Sequence, residues 1–132
     1  MIKGFDEQTQ PLTEYEEKFL LPVVISGLKT KRGADSAVTN NYIVSKLKPR
    51  YKVDAPRLRK VINHIRVNDL LPGLIATSSG YYLATSESEI NDYVDSLKGR
   101  EDAIRAVRKA MERQCRQLYS HKDVLQGELL FQ

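Results

Sequence analysis

Cysteine is nearly missing from this chain of 132 residues. Cys115 stands alone, so neither an intramolecular disulfide nor a cysteine metal cluster can form. Tryptophan is absent and only two histidines occur, His64 and His121, too far apart in sequence for a metal-ligand pair on one turn. No apolar run approaches the roughly 20 residues of a membrane span, and the start MIKGFDEQTQ lacks the apolar centre of a signal peptide. There is no Gly-rich phosphate loop, no nucleophile elbow and no cluster of metal ligands. These gaps lead us to expect a cytoplasmic protein that is not an enzyme, holds no metal or cofactor and does not partner a membrane.

What is present is a segregated charge pattern. The net charge of +4 conceals a middle third, residues 29–66, in which eleven Lys and Arg face only Asp35 and Asp54, a net +9. Residues 1–28 carry −3 and residues 67–132 carry −2. A polyanion would meet its field in the middle third. Hydrophobic residues at 41% and charged residues at 29% suit one globular core with appendages.

Residues 1–11 have no periodicity and read as a flexible arm. Thr13 and Glu16 have capping-box spacing and open a first helix carrying Phe19, Leu20, Val23, Val24 and Leu28. Pro22 should kink it or divide it into two pieces, and Lys31-Arg32-Gly33 ends it. Thr39 caps a second helix running to Lys48, with Ile43, Val44 and Leu47 as its apolar face. Pro49 stops that helix.

Asp54 caps the third helix, with Pro56 tolerated in its first turn. Leu58, Val61, Ile62 and Ile65 recur at i, i+3, i+4 and i+7, which makes one core-facing stripe. At 100° per residue the opposite face carries Arg59, Lys60, Asn63 and Val67, with Arg57 and His64 on one flank and Arg66 on the other. Two strands follow, Leu74 to Thr77 and Tyr81 to Thr85, joined through Ser78-Ser79-Gly80. Alternation along the second should bury one of Tyr81 and Tyr82 and expose the other.

Ser86 and Glu89 repeat the capping-box spacing at the start of a long helix expected to reach about Tyr119, with Gly99 a break near its middle. Ile90, Leu97, Ile104, Met111 and Leu118 fall seven apart. Tyr93, Val94, Val107 and Cys115 partly fill a second seam that Arg100, Glu101, Arg108 and Gln114 interrupt. The helix either packs on the domain before it or pairs with a second copy. Residues 120–132 read as a flexible tail.

This order of elements resembles the winged helix-turn-helix fold. Residues 34–98 look like the winged-helix domains of small bacteriophage and prophage proteins that serve replication or gene control. The likeness rests on Ala37-Val38-Thr39-Asn40, on LRKVINHIRVNDLL from Leu58 to Leu71, on the hairpin Leu74 to Ala84 with its Gly-Tyr-Tyr, and on SESEINDYVDSL from Ser86 to Leu97. It implies a mainly α fold with a small β-hairpin: a winged helix-turn-helix over 12–85 followed by a long C-terminal helix over 86–119.

The resemblance further implies binding of double-stranded DNA, with the third helix in the major groove presenting Arg57, Arg59, Lys60, Asn63, His64, Arg66 and Val67. Arg can pair with guanine, Asn63 with adenine, and Val67 can touch a thymine methyl. Lys46, Lys48, Arg50 and Lys52 would grip the backbone, and Ser78 and Ser79 would donate to phosphate. A nucleoid-associated regulator or replication accessory factor in a bacterial host is the expectation. The alternative is an adaptor that binds replisome or host proteins. In the tail, Gln126, Leu129 and Phe131 fit a Q-x-x-L-x-F pattern resembling peptides that bind the bacterial sliding clamp. A pattern this short also arises by chance, and the last residues loosely resemble a protease recognition sequence.

Overall fold

A computed structural model describes residues 8–132, without the side chains of residues 121–126. Most of the expected flexible arm, residues 1–11, therefore lies outside the described residues. The described chain is mainly helical, with one two-stranded antiparallel hairpin and a long C-terminal helix. It divides into two compact units between Ile90 and Asn91.

The first unit opens with the anticipated capping box. Thr13 Oγ1 accepts from the Glu16 amide at 3.2 Å, and Glu16 Oε1 accepts from the Thr13 amide at 2.8 Å. Pro22 then divides the first helix, as its missing donor requires. A π-helical turn, Glu16–Leu20, precedes helix α1, Leu21–Leu28. The Leu21 amide bonds back to the Glu16 carbonyl, five residues away, and this widened turn gives the Pro22 ring room. Because the turn shifts the helical phase, Leu20, Val24 and Leu28 reach the core while Phe19 stays exposed beside Tyr15, 5.3 Å between ring centres.

Helix α2, Asn40–Leu47, is capped by Thr39, whose Oγ1 accepts from the Tyr42 amide. Helix α3, Ala55–Val67, is capped by Asp54, whose Oδ1 accepts from the Arg57 amide. Its stripe Leu58, Val61, Ile62 and Ile65 is 0–2% exposed, and the rest of the core packs around it. The helix ends through Asn68 and Asp69. Asp69 adopts a left-handed φ of 58°, and the Leu70 amide returns to the Ile65 carbonyl.

Strand β1, Leu74–Thr77, pairs with β2, Gly80–Leu83, so the second strand begins and ends earlier than its sequence suggests. Thr77 lies opposite Gly80, leaving Ser78-Ser79 as a two-residue turn. Tyr81 is buried and Tyr82 only half-buried, in line with strand alternation. The free edge of β2 is also used. Val38 and Tyr81 exchange backbone hydrogen bonds of 3.1 and 2.8 Å, the Gly33 amide bonds to the Leu83 carbonyl, and the Leu83 amide to that of Lys31. The link between α1 and α2, which includes a 3-10 turn at Ala34–Ser36, thus flanks the hairpin as a third edge. Gly80 is required at this junction. Its φ is +122°, and a Cβ there would lie 2.4 Å from the Val38 carbonyl oxygen.

Helix α4 runs Glu87–Leu130 without interruption. Two expectations are corrected here. Gly99 does not break the helix, and the chain does not become a loose tail at Ser120, because backbone hydrogen bonding continues through the last turns. One glycine costs a helix only about 1 kcal/mol, which many good helix formers on both sides can carry. At its start the Ser86 hydroxyl accepts from the Glu89 amide, but the Glu89 carboxylate turns to the Thr85 amide and hydroxyl. Those bonds hold the exposed Glu89 carboxyl below its ordinary value. No described helix is long and apolar enough to cross a membrane.

Candidate nucleic-acid interface

Helix α3 carries its polar residues on two flanks of the core stripe. Arg59, Asn63 and Arg66 share one flank, and Arg57, Lys60 and His64 share the other. The structure treats the two flanks differently.

On the second flank the expected exposed cations are drawn inward. Arg57 Nε donates to Glu16 Oε2 at 2.8 Å, Arg57 Nη1 donates to the Lys52 carbonyl at 3.0 Å, and its guanidinium lies over the Tyr15 ring. Lys60 Nζ meets Glu16 Oε1 at 2.7 Å with only 14% of its side chain exposed. Glu16 itself is buried, at 2% exposure. Burial pushes its carboxyl up, but hydrogen bonds from Lys60, the Thr13 amide and Arg57 outweigh this and hold it at about 2. The placement of Arg57 and Lys60 on an open reading face is therefore corrected, because a buried carboxylate on the π-helical turn before α1 claims both. His64 is half-buried, and Asn68 Nδ2 donates to its backbone carbonyl.

On the first flank Arg59 borders a polar cleft of about 350 Å³, framed also by the start of α2 and the hairpin turn. Thr39 and Asn41 lie at its α2 side and Ser78 at its hairpin side. Its floor is fixed by Asn40, whose Nδ2 donates to the Ala55 carbonyl at 3.2 Å while its Oδ1 accepts from the Tyr81 hydroxyl at 2.8 Å. One amide thereby locks α2, α3 and β2 together. Burial raises the Tyr81 hydroxyl above its ordinary value, and the positive charges of Arg59 and Arg66 act against that rise, which places both guanidinium groups within electrostatic reach of it. Among the described residues no carboxylate lies within salt-bridge distance of Arg59. Arg59 is exposed, as are Ser78, Ser79 and, at 68%, Val67, while Asn63 and Arg66 are half-buried.

The remaining expected contacts are dispersed. Lys46 lies over the Tyr42 ring, and with Lys31 it lines an apolar groove of about 230 Å³ between α1 and α2, away from the polar cleft. Lys48, Arg50 and Lys52 are exposed in the link to α3, where the Lys52 amide donates to the Tyr15 hydroxyl. Of the tail residues, Leu129 and Phe131 are 69% and 92% exposed, and Gln126 lies outside the described side chains. Leu129 belongs to the last turn of α4, so the pattern sits at a helix end where a loose tail was expected.

Sequence reasoning missed Asn40 and Asn41. The signal was available, since two amides directly after an N-cap threonine set polar groups beside the free amides of a helix start. Among the described residues no group of His, Cys, Asp and Glu is arranged to hold a metal ion. No family model matches the chain, and neither a curated protein nor a solved structure does.

Proposed function

We propose that the chain is a winged-helix protein that binds double-stranded DNA through the Arg59 flank of α3. The observation that carries this reading is Arg59 itself, an exposed cation with no carboxylate partner among the described residues, bordering a polar cleft between a helix start and a hairpin turn. The element order supports it as well: a helix, a segment paired to the hairpin edge, two helices and then the hairpin. In this reading α3 enters the major groove with Arg59, Asn63 and Arg66 leading and Val67 at the exposed centre of the face. The start of α2 and Ser78 and Ser79 meet the phosphates on either side. Arg57 and Lys60 contribute field but hold the fold first.

The biological setting that fits is a phage or prophage regulator or replication accessory factor acting at the bacterial nucleoid. Titration of the full chain against mixed-sequence duplex at two salt concentrations tests the reading. Binding that weakens steeply with salt is expected, and no binding at low salt overturns it. The adaptor reading, with the sliding clamp as partner, draws on the exposure of Leu129 and Phe131. Equal recovery of clamp by the chain and by its Phe131→Ala variant would remove that partner.

A further inference from the structure

Helix α4 presents a long apolar seam to solvent. Ile104, Val107, Met111 and Leu118 are 70%, 62%, 53% and 67% exposed. In proteins most helical stability comes from covering such a face rather than from local propensity. The helix is also electrically lopsided. Glu87, Glu89, Asp92 and Asp95 precede its first cation, whereas residues 105–116 hold five Lys and Arg against Glu112.

We infer that α4 pairs with α4 of a second copy of this chain, antiparallel, with Ile104 of each opposite Val107 of the other. This inference rests on the second unit alone and is independent of the DNA reading.

The direction follows from what each alternative places in contact. A parallel, in-register pair sets Arg100 against Arg100 and Gln114 against Gln114 in the seam, and brings acidic end to acidic end. The antiparallel pair instead places Arg100 beside Met111, Leu97 beside Gln114 and Tyr93 beside Leu118. On its two edges it sets Glu101 beside Arg108, Val94 beside Cys115, and the small Ala103 beside Ala110, and each occurs twice. Glu101 already accepts from Arg105, and Arg108 already donates to Glu112, along their own helix. Pairing therefore joins two short ion pairs into one four-residue network across the interface, and the two-fold repeats that network along the same edge. The overlap, residues 93–118 in both copies, is about three and a half heptads, the length at which such a seam sustains a coiled coil.

Two measurements on the full chain test this. Light scattering should give twice the chain mass, and a monomer at all concentrations overturns pairing. Charge exchange tests the direction. Glu101→Arg and Arg108→Glu each place like charges across the interface, so each variant alone should dissociate at least tenfold more readily than the parent. Mixed together they restore both cross-helix ion pairs and should form a heterodimer. In addition, Val94→Cys with native Cys115 should be joined across the dimer by a short bis-maleimide as a 94–115 product. A parallel pair holds those positions about 30 Å apart. A dimer that shows neither the heterodimer preference nor the 94–115 link overturns the antiparallel arrangement.

Discussion

Glu16 and Lys60, 44 positions apart in the chain, meet at 2.7 Å with little of either side chain open to solvent. The same carboxylate accepts from Arg57 and from the Thr13 amide. One acidic residue on a π-helical turn thus satisfies a helix start and anchors α3 from its first turn. Buried pairs of this kind add little net stability when intact, but removing one partner leaves uncompensated charge behind. Glu16 therefore acts as a structural acid that ties Arg57 and Lys60 of α3 into the fold.

Stability should fall in acid through this group. Its carboxyl is held at about 2, below the ordinary 4.5, so the folded state binds the proton less readily than the unfolded chain. The contribution is complete above about pH 4.5 and is lost as pH falls from there toward 2. At full strength the shift corresponds to about 3 kcal/mol; solvent screening through Arg57, 31% exposed, leaves on the order of 2 kcal/mol. Urea melts at pH 6, 4 and 2.5 should show this decline, and Glu16→Gln should flatten it while lowering stability at pH 6 by a similar amount.

Gly80 should tolerate no side chain. Its positive φ and the Val38 carbonyl 2.4 Å from the Cβ position act together, and that carbonyl belongs to a backbone pairing that cannot retreat without loss of the third edge. Gly80→Ala should cost about 2–3 kcal/mol, read as a lower denaturant midpoint. Amide exchange should quicken at Tyr81, whose N–H bonds to the Val38 carbonyl. An unchanged midpoint would show that the bridge between Val38 and Tyr81 is dispensable.

Short-range chemistry made much of the fold legible. The caps at Thr13, Thr39, Asp54 and Ser86 and the stripe Leu58, Val61, Ile62 and Ile65 all rest on contacts within a few residues, which spacing alone encodes. What spacing could not encode is what lies opposite. Lys60 reads as an exposed cation on a helical wheel, and only the fold brings Glu16 against it. The pairing of Val38 with Tyr81 was hidden for the same reason, since a single bridge leaves no alternating pattern. At the candidate site, Arg59 and Ser78 were identifiable as polar and exposed, but their meeting with Asn41 across one cleft depends on the third edge. The continuation of α4 past Tyr119 is masked by the polar run Ser120-His121-Lys122-Asp123, a full turn without an apolar residue before Leu125 resumes the seven-residue spacing.

The end of α3 offers a stabilising substitution. Asp69 holds a left-handed φ of 58°, which disfavours any residue with a Cβ, and the bond from the Leu70 amide to the Ile65 carbonyl depends on that geometry. Asp69→Gly should raise stability by about 0.5–1 kcal/mol, the relief of strain exceeding the extra freedom glycine gives the unfolded chain. Asp69→Ala should lower it by a similar amount. Thermal melts of the two variants beside the parent decide the point, and a fall with glycine would mean that the Asp69 side chain contributes more than its backbone costs.

The two flanks of α3 predict opposite phenotypes for two adjacent cations. Arg59 is exposed and has no carboxylate partner among the described residues, so Arg59→Ala should leave stability within about 0.5 kcal/mol of the parent. On the proposed function it should weaken duplex binding by about tenfold or more, the scale of one lost base or phosphate contact. Lys60 is 14% exposed and bound to Glu16, so Lys60→Ala should cost about 1–2 kcal/mol of stability while changing duplex affinity less than about threefold under conditions where the variant is folded. Denaturant melts and fluorescence anisotropy on the same samples separate the two effects. If Lys60→Ala weakened binding as much as Arg59→Ala at full foldedness, the duplex would have to reach the Glu16 side of the helix, and the polar cleft would lose its claim to be the contact surface.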